Sequence, residues 1–341
     1  MTGNASYTLR NTALLSVAGL EAPIVVTSAE IEERMAESLQ RLRVRPGTLQ
    51  ALTGIVERRW WEEGTSFADA AAMAGAKALS EAGVHPSEVG LLINSSVSRE
   101  HLEPSMASAV HHTLGLSASA MNFDITNACL GFVNAMQIAG TMIDAGAVRY
   151  ALVVDGEGAR QTHEATIARL SRPETTRDDF LREFATLTLG SGSAAAVLGP
   201  ADRHPGAHRI LGGISRAGTQ HHELCVGDLQ QMRTDHKGLL DAGMQLAREV
   251  WSDARDAGWD WSDMDAYVIH QVSVVHTASV VESLGLDPDR IPTTFPRLGN
   301  VGPAALPITL AQHASSLGPG DRVLCMGIGS GLNTSVMEIA W

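Results

Sequence analysis

Hydrophobic positions along the chain fall into short unbroken runs of aliphatic and β-branched residues, each followed by a longer stretch of helical period. The clearest runs are Val89–Ile93, Met121–Ile125, Tyr150–Asp155, Ala194–Leu198, Ala266–Ile269 and Arg322–Met326. Unbroken apolar strands alternating with helices predict a sheet covered on both faces. Gly199–His208 (GPADRHPGAH), rich in Gly, Pro and charge, reads as a connection between lobes. Residues Gln161–Arg182 are polar with mixed charge and read as a surface excursion or lid outside the core.

The pattern repeats. Leu91–Ser98 (LLINSSVS) resembles Ala266–Ser273 (AYVIHQVS), and each precedes a segment ending in Leu-Gly-Leu, at Leu114–Leu116 and Leu284–Leu286. One further shift places Asn127 on Asn300, Arg149 on Arg322 and Gly156 on Gly329. An α/β unit present twice is predicted, with halves over residues 1–200 and 209–341. Duplication brings both copies of the turn before the central helix to one shared place.

Composition narrows the class. A chain of 341 residues suggests about two domains. With 25 basic and 38 acidic residues the formal charge is −13, and no basic cluster is present to displace phosphate counterions, which argues against nucleic-acid partners. Three cysteines are too few for a disulfide framework and favour a reducing compartment. The opening MTGNASYTLRN lacks the features of a signal peptide, and no apolar run approaches a membrane span. A cytoplasmic α/β enzyme is the expectation.

The duplicated turns hold the candidate chemistry. In the first, Asp124–Phe132 (DITNACLGF) carries Cys129 just before an almost wholly apolar helix. Unpaired N–H groups at a helix start favour a thiolate; the alternative is a small residue packed in a turn. In the second, Arg297–Leu306 (RLGNVGPAAL) carries Asn300, and His270 ends the preceding strand. Together they form a candidate Cys–His–Asn set, in which the thiolate attacks a thioester while imidazole and amide donate to an oxyanion. Arg58, Arg59, Trp60 and Trp61 form a basic–aromatic cluster, either a clasp for a nucleotide-bearing carrier or a packing and ion-pair segment. The pairs His111–His112 and His221–His222 lack metal-ligand spacing. Gly327–Gly331 (GIGSG) follows the last predicted strand, without the full dinucleotide fingerprint.

These motifs resemble the thiolase superfamily and, within it, the ketosynthase III branch. DITNACLGF is similar to that branch's nucleophile turn, IHQVS to its His-Gln motif and LGNVGPAALP to its Gly-Asn motif. LGSGSAAAVL (Leu189–Leu198) is similar to the hairpin closing the first half, and GIGSGLN (Gly327–Asn333) to the terminal glycine loop. The likeness covers essentially the whole chain, in order. It implies an α/β fold of two duplicated mixed halves in a five-layer α-β-α-β-α arrangement, with a cap and dimer segment inserted in the first half.

The loop Ser98–Ser108 (SREHLEPSMAS) places Glu103 where ordinary members carry an aromatic residue, and resembles the olefin-pathway condensing enzymes of the OleA type. That likeness implies a non-decarboxylative Claisen condensation of two long-chain acyl-CoAs to a 2-alkyl-3-keto acid. Cys129 would carry the first acyl group, its oxyanion on backbone N–H groups of Cys129 and Ser330. The second thioester oxygen would rest on His270 and Asn300. Glu103, from the neighbouring subunit of a homodimer, would remove the α-proton. The alternative for Glu103 is a helix-start residue favoured by the dipole. A rival base is Cys325, by likeness to a thiolase glycine loop; Cys225 has no evident partner.

The stretch before Thr53 (GTLQAL) lacks the Trp and Arg with which fatty-acid initiators clamp CoA, and HQVS replaces their His-Gln-Ala-Asn. Carrier-protein use is therefore in doubt and free CoA thioesters are favoured, with Arg58 and Arg59 as candidate CoA contacts. No cofactor or metal is expected; downstream pathway enzymes are the expected partners. The alternatives are a decarboxylating synthase using malonyl thioester and a non-catalytic partner subunit.

Overall fold

The computed structural model describes residues 6–228 and 230–341. Residues 1–5, on which the expected absence of a signal peptide partly rests, lie outside that range. The chain opens with β1 (Ser6–Thr8) and β2 (Thr12–Glu21). A cap follows, made of β3 (Ile24–Thr27), α1 (Ser28–Glu33), α2 (Ala36–Arg41), α3 (Thr48–Thr53) and β4 (Glu57–Trp60). Next come α4 (Phe67–Ala82), β5 (Val89–Asn94), α5 (Met106–Thr113), β6 (Met121–Asp124), α6 (Gly131–Asp144) and β7 (Tyr150–Glu157). After α7 (Arg160–Leu170) and α8 (Arg177–Glu183), β8 (Gly192–Pro200) leads to β9 (His208–Ala217) and the small hairpin β10 (Cys225–Gly227) and β11 (Met232–Thr234). The rest is α9 (His236–Asp256), β12 (Ala266–Ile269), α10 (Val274–Leu284), α11 (Phe295–Leu298), α12 (Ala305–His313), β13 (Arg322–Gly329) and β14 (Asn333–Ala340).

Ten strands share one hydrogen-bonded sheet in the order β12-β13-β14-β9-β2-β8-β7-β5-β6, with β1 beside β9. The run β6-β5-β7 is parallel and β7-β8-β2 antiparallel. In the later half, β12 and β13 are parallel while β13-β14-β9 is antiparallel. The two runs meet where Ala13 and Leu14 of β2 pair with Arg209 and His208 of β9.

Helices α6 and α12 touch strands of both runs and therefore lie between them, whereas α4 and α5 cover the outer face of the first run and α9 packs on β9 of the second. The order of layers is α-β-α-β-α, as expected. The middle layer is apolar: Leu130 at the start of α6, with Phe132 and Met136 of that helix, packs with Leu306 and Ile308 of α12 against Val153, Ala196 and Cys325. At roughly 1.5–3 kcal/mol for each large apolar side chain removed from water, this layer supplies much of the fold's stability.

Outside it, α4 presents a face of alanines, Ala71, Ala74 and Ala78, to the sheet. Small residues let the helix lie very close. A Cβ on Gly156 of β7 would sit 2.2 Å from the Phe67 carbonyl oxygen, so that strand end admits only glycine.

Three expectations need correction. The antiparallel strands β2, β9 and β14 were not predicted: TALLSVAGLE and NTSVMEIA mix small polar with apolar residues, and HRILGGISRA is broken by two glycines. Because β14 follows it, the glycine loop is a hairpin turn, not a terminal segment. Second, β6 is not buried; it ends the strand order with β5 as its neighbour, and Met121 is exposed. Third, Gln161–Arg182 is no mere excursion: Ile167, Leu170 and Phe180 pack with Ile31, Met35 and Trp60 of the cap in a core of their own. Among the described residues, no helix is long and apolar enough to cross a membrane.

Candidate active site

The nucleophile turn joins β6 to α6. Ala128 has φ +45°, a left-handed conformation that costs a residue with a Cβ on the order of 1–2 kcal/mol. It redirects the chain so that Cys129 faces a cavity. The turn is held by Leu130 N–H on the Asn127 carbonyl (3.0 Å) and Gly131 N–H on the Ala128 carbonyl (3.2 Å). The Asn127 amide donates to Asn134 Oδ1 at 2.8 Å and accepts from Asn333 Nδ2 at 3.3 Å. On the far side runs the hairpin β13–β14, where a Cβ on Gly329 would stand 2.8 Å from the Asn127 carbonyl oxygen.

His270 immediately follows β12, its N–H bonded to the Met326 carbonyl at 3.0 Å. The next residue, Gln271, is a clamp. Its Nε2 donates to the carbonyls of Ile269 and Pro292, and its Oε1 accepts from Thr294 N–H at 2.9 Å. Asn300 is pinned by its backbone: its N–H meets the Thr188 carbonyl and its carbonyl accepts from Gly190 N–H, both at 2.9 Å. Its Oδ1 accepts from Gly302 N–H at 3.0 Å, which turns Oδ1 toward its own turn and Nδ2 away from it.

Cys129, His270, Asn300 and Ser330 line one cavity of about 1110 Å³. Its walls include Leu181, Phe184, Leu240, Met244, Ile328 and Leu332. Burial pushes the Cys129 thiol up to about 12, reinforced by the charges of Glu157, Cys225 and Asp155. The helix start favours a thiolate, whereas lost hydration and the neighbouring carboxyls oppose it. Burial, then His276, lowers His270 to about 3, so its imidazole is neutral and suited to hydrogen bonding with an oxyanion rather than to charging it. Its Nδ1 is buried without a partner.

Other expected residues lie elsewhere. Arg58 is fully buried, donating to the Val26 and Leu187 carbonyls (3.4 and 3.2 Å) and to Ser28 Oγ (3.1 Å). Arg59 is buried too, paired with Glu57 at 2.9 Å and Glu21 at 3.4 Å. Neither can meet a CoA phosphate; the segment is packing, with the Arg58 stem beneath Gly299 of the Asn300 turn. Cys325 lies in the middle-layer core and not on the cavity, so it is no base.

Glu103 does not line its own chain's cavity. It projects on the loop after β5, beside Leu102, which is 88% exposed, while Glu100 anchors the loop by accepting from Phe67 N–H at 2.6 Å. Cys225 does line the cavity, from β10. The sequence reading missed Glu157, a buried carboxylate on the cavity wall. Its signal was present: two acids, Asp155 and Glu157, alternate at the end of an otherwise apolar strand. Among the described residues no cluster of three or more His, Cys, Asp or Glu side chains is placed to hold a metal.

The chain matches the family described as 3-Oxoacyl-[acyl-carrier-protein (ACP)] synthase III over residues 123–212, and that family's C-terminal part over residues 254–341. It is 43% identical to the acyl-CoA:acyl-CoA alkyltransferase of Xanthomonas campestris, over 97% of this chain and 99% of the relative. Identity to the Shewanella oneidensis protein of the same description is 36%, over 94% of this chain and 96% of that one. A crystal structure of a cysteine-to-serine variant of Xanthomonas campestris OleA, holding lauric acid and lauroyl-CoA, superposes with a TM-score of 0.95 at 42% identity, covering 98% of this chain and 100% of the other.

Proposed function

The chain belongs to the ketosynthase III family of thiolase-fold condensing enzymes, in the OleA-type acyl-CoA:acyl-CoA alkyltransferase branch, and on that premise we propose that it joins two long-chain acyl-CoAs head to head without decarboxylation. The observation that carries this reading is the convergence of Cys129, His270 and Asn300 on one large cavity with apolar walls. Such a space suits alkyl chains, and three polar groups in a dry site are worth far more than in water.

Cys129 attacks the first thioester, whose developing oxyanion meets N–H groups of Cys129 and Ser330. The acyl group stays on sulfur as CoA leaves. The second acyl-CoA sets its thioester oxygen between neutral His270 and the Asn300 amide, where the α-carbanion is stabilised as an enolate. One such donor is commonly worth about 3 kcal/mol. The carbanion attacks the carbonyl of acyl-Cys129, the carbon–sulfur bond breaks to free the Cys129 sulfur, and hydrolysis of the resulting β-ketoacyl-CoA yields a 2-alkyl-3-keto acid.

The base is Glu103 from a second copy of this chain. Two features support a homodimer: the projecting loop that carries Glu103 away from its own cavity, and the open edge of β6, an unpaired strand that invites another. The reading needs no cofactor beyond the CoA thioesters. It divides the chain into duplicated halves over residues 1–200 and 209–341, places it in the cytoplasm and leaves the keto acid to downstream enzymes. Incubation with lauroyl-CoA alone tests it. The condensed product must form without any malonyl donor and disappear in Cys129→Ala; product formed only with a malonyl thioester, with release of carbon dioxide, would refute it.

A further inference from the structure

The loop that carries Glu103 leaves the sheet at the end of β5, with β7 on one side and β6 on the other. Backbone pairing of β5 with β7 ends at Asn94 and Val154, and Ser95 N–H adds one more bond to the Val154 carbonyl at 2.9 Å. Beyond that point side chains continue the register. Ser96 Oγ accepts from Gly156 N–H at 2.8 Å, and Ser98 Oγ accepts from Gly158 N–H at 3.1 Å.

Glu157 adds the firmest hold. It is the last residue of β7 and is only 6% exposed. Its Oε1 accepts from Val97 N–H at 2.6 Å, and its Oε2 accepts from the Ser98 hydroxyl at 2.6 Å and from Ser98 N–H at 3.2 Å. Both oxygens are committed to the first residues of the loop and fix the direction in which the chain leaves β5. On the other flank Asp124, the last residue of β6, takes the far end: Oδ2 accepts from Met106 N–H at 3.0 Å and Oδ1 from Ala107 N–H at 2.9 Å. Two carboxyls on the strands beside β5 thus grip both feet of the loop, and Glu103 lies on the exposed span between them. A catalytic group must be held within about 0.5 Å of its working position, and an exposed tip draws that precision from its feet.

We propose that Glu157 is a positioning residue for Glu103 and, because Glu103 serves the neighbouring subunit, acts on that subunit's site and not on its own. The inference rests on the reading of Glu103 as a base supplied across a homodimer. Glu157 also touches its own cavity: it lines the wall, and a Cβ on Gly302 of the Asn300 turn would lie 3.4 Å from Glu157 Cδ. A fault confined to that contact stays with its own chain, whereas a fault in the loop appears in the partner. The two roles separate by which subunit bears the defect.

Glu157→Gln keeps the shape of the side chain but sets an amide donor against one of the loop's own donors. Alone, it takes a lauroyl group on Cys129, read by intact mass, yet condenses lauroyl-CoA roughly 100-fold more slowly than the parent, as a misplaced catalytic group does. Mixed dimers with Cys129→Ala, isolated through two different affinity tags, hold one site in which an intact Cys129 meets a correctly held Glu103. They regain about half of parental turnover, one of their two sites being complete. Mixed dimers that stay at the level of Glu157→Gln alone place the defect in its own cavity and overturn the proposal. So does a Glu157→Gln that condenses within threefold of the parent, or that takes no lauroyl group. Glu103→Ala in the same mixed dimers distinguishes the two readings. Recovery there but not with Glu157→Gln overturns this inference alone; recovery in neither removes the base supplied across the dimer and this inference with it. If Glu157→Gln does not fold, Ser98→Ala, which strips the hydroxyl from Glu157 and Gly158, goes into the same mixed dimers with a smaller expected loss of about 10-fold and decides by the same criteria.

Discussion

Gly329, in the last hairpin, passes so close to Asn127 in the nucleophile turn that a single added carbon on the glycine would lie 2.8 Å from the Asn127 carbonyl oxygen. The contact spans the two halves of the chain and fixes the turn that aims Cys129. Gly329→Ala must therefore push the turn aside. We expect acyl-Cys129 formation from lauroyl-CoA to fall about 100-fold, as misplacements near 1 Å commonly cost, while circular dichroism stays native. An acylation rate within threefold of the parent would show that the turn does not depend on this contact.

Arg58 belongs to the scaffold, and its substitution separates that role from substrate binding. Arg58→Met keeps the stem beneath Gly299 but strips donors from the Val26 and Leu187 carbonyls and Ser28. A loss of about 2–4 kcal/mol in urea unfolding is expected, with KM for acyl-CoA in the folded enzyme unchanged. A raised KM with unchanged stability would restore the CoA-contact role.

Glu103 projects away from its own cavity, so its contribution can be tested by mixing chains. Glu103→Ala should still acylate Cys129 yet make no condensed product. Co-refolded with Cys129→Ala, it should regain about a quarter of parental condensation, because half of randomly paired dimers hold one complete site. No recovery in verified mixed dimers would place the base elsewhere.

Three histidines, His163, His270 and His276, are held neutral by burial at about 3, 3 and 4. In the unfolded chain they titrate near 6.5, so below that pH the unfolded state binds protons the native state refuses. Stability is therefore lost as pH falls, at up to about 1.4 kcal/mol per pH unit for each. Asp155 and Glu157, both raised, act in the opposite sense between about pH 4.5 and 7, because there the native state keeps protons the unfolded state releases. Tm should decline gently from pH 6 to 5 and steeply below about 4.5. His163→Gln, which lies away from the cavity, should soften the steep limb; an unchanged limb would refute the assignment.

Much of the active site was legible along the chain because its parts are local. A nucleophile turn, a His-Gln strand end and an Asn-Gly turn are each written in a few consecutive residues, and backbone geometry enforces them wherever they occur. Ala128 before Cys129, Gln271 after His270 and Gly302 after Asn300 all act within their own turn. The order of the motifs carried the likeness to the thiolase superfamily, and that likeness implied the five layers.

What tertiary structure alone decided was exposure. Arg58 and Arg59 read equally as a clasp or as a packing segment along the chain, and α11 and the segment around Leu187 decide for packing. Glu157 was hidden because a strand-end acid is ordinarily solvated; burial beside Asp155, between two turns far apart in sequence, changes its proton affinity. The Cys129 thiol is pushed up first by burial and then by Glu157 and Asp155 from another strand, against the local pull of its helix. The sequence by itself pointed to Cys129, His270 and Asn300, since covalent neighbours shape each turn. Their charge depends on what is packed around them, and long-range contacts set that dielectric.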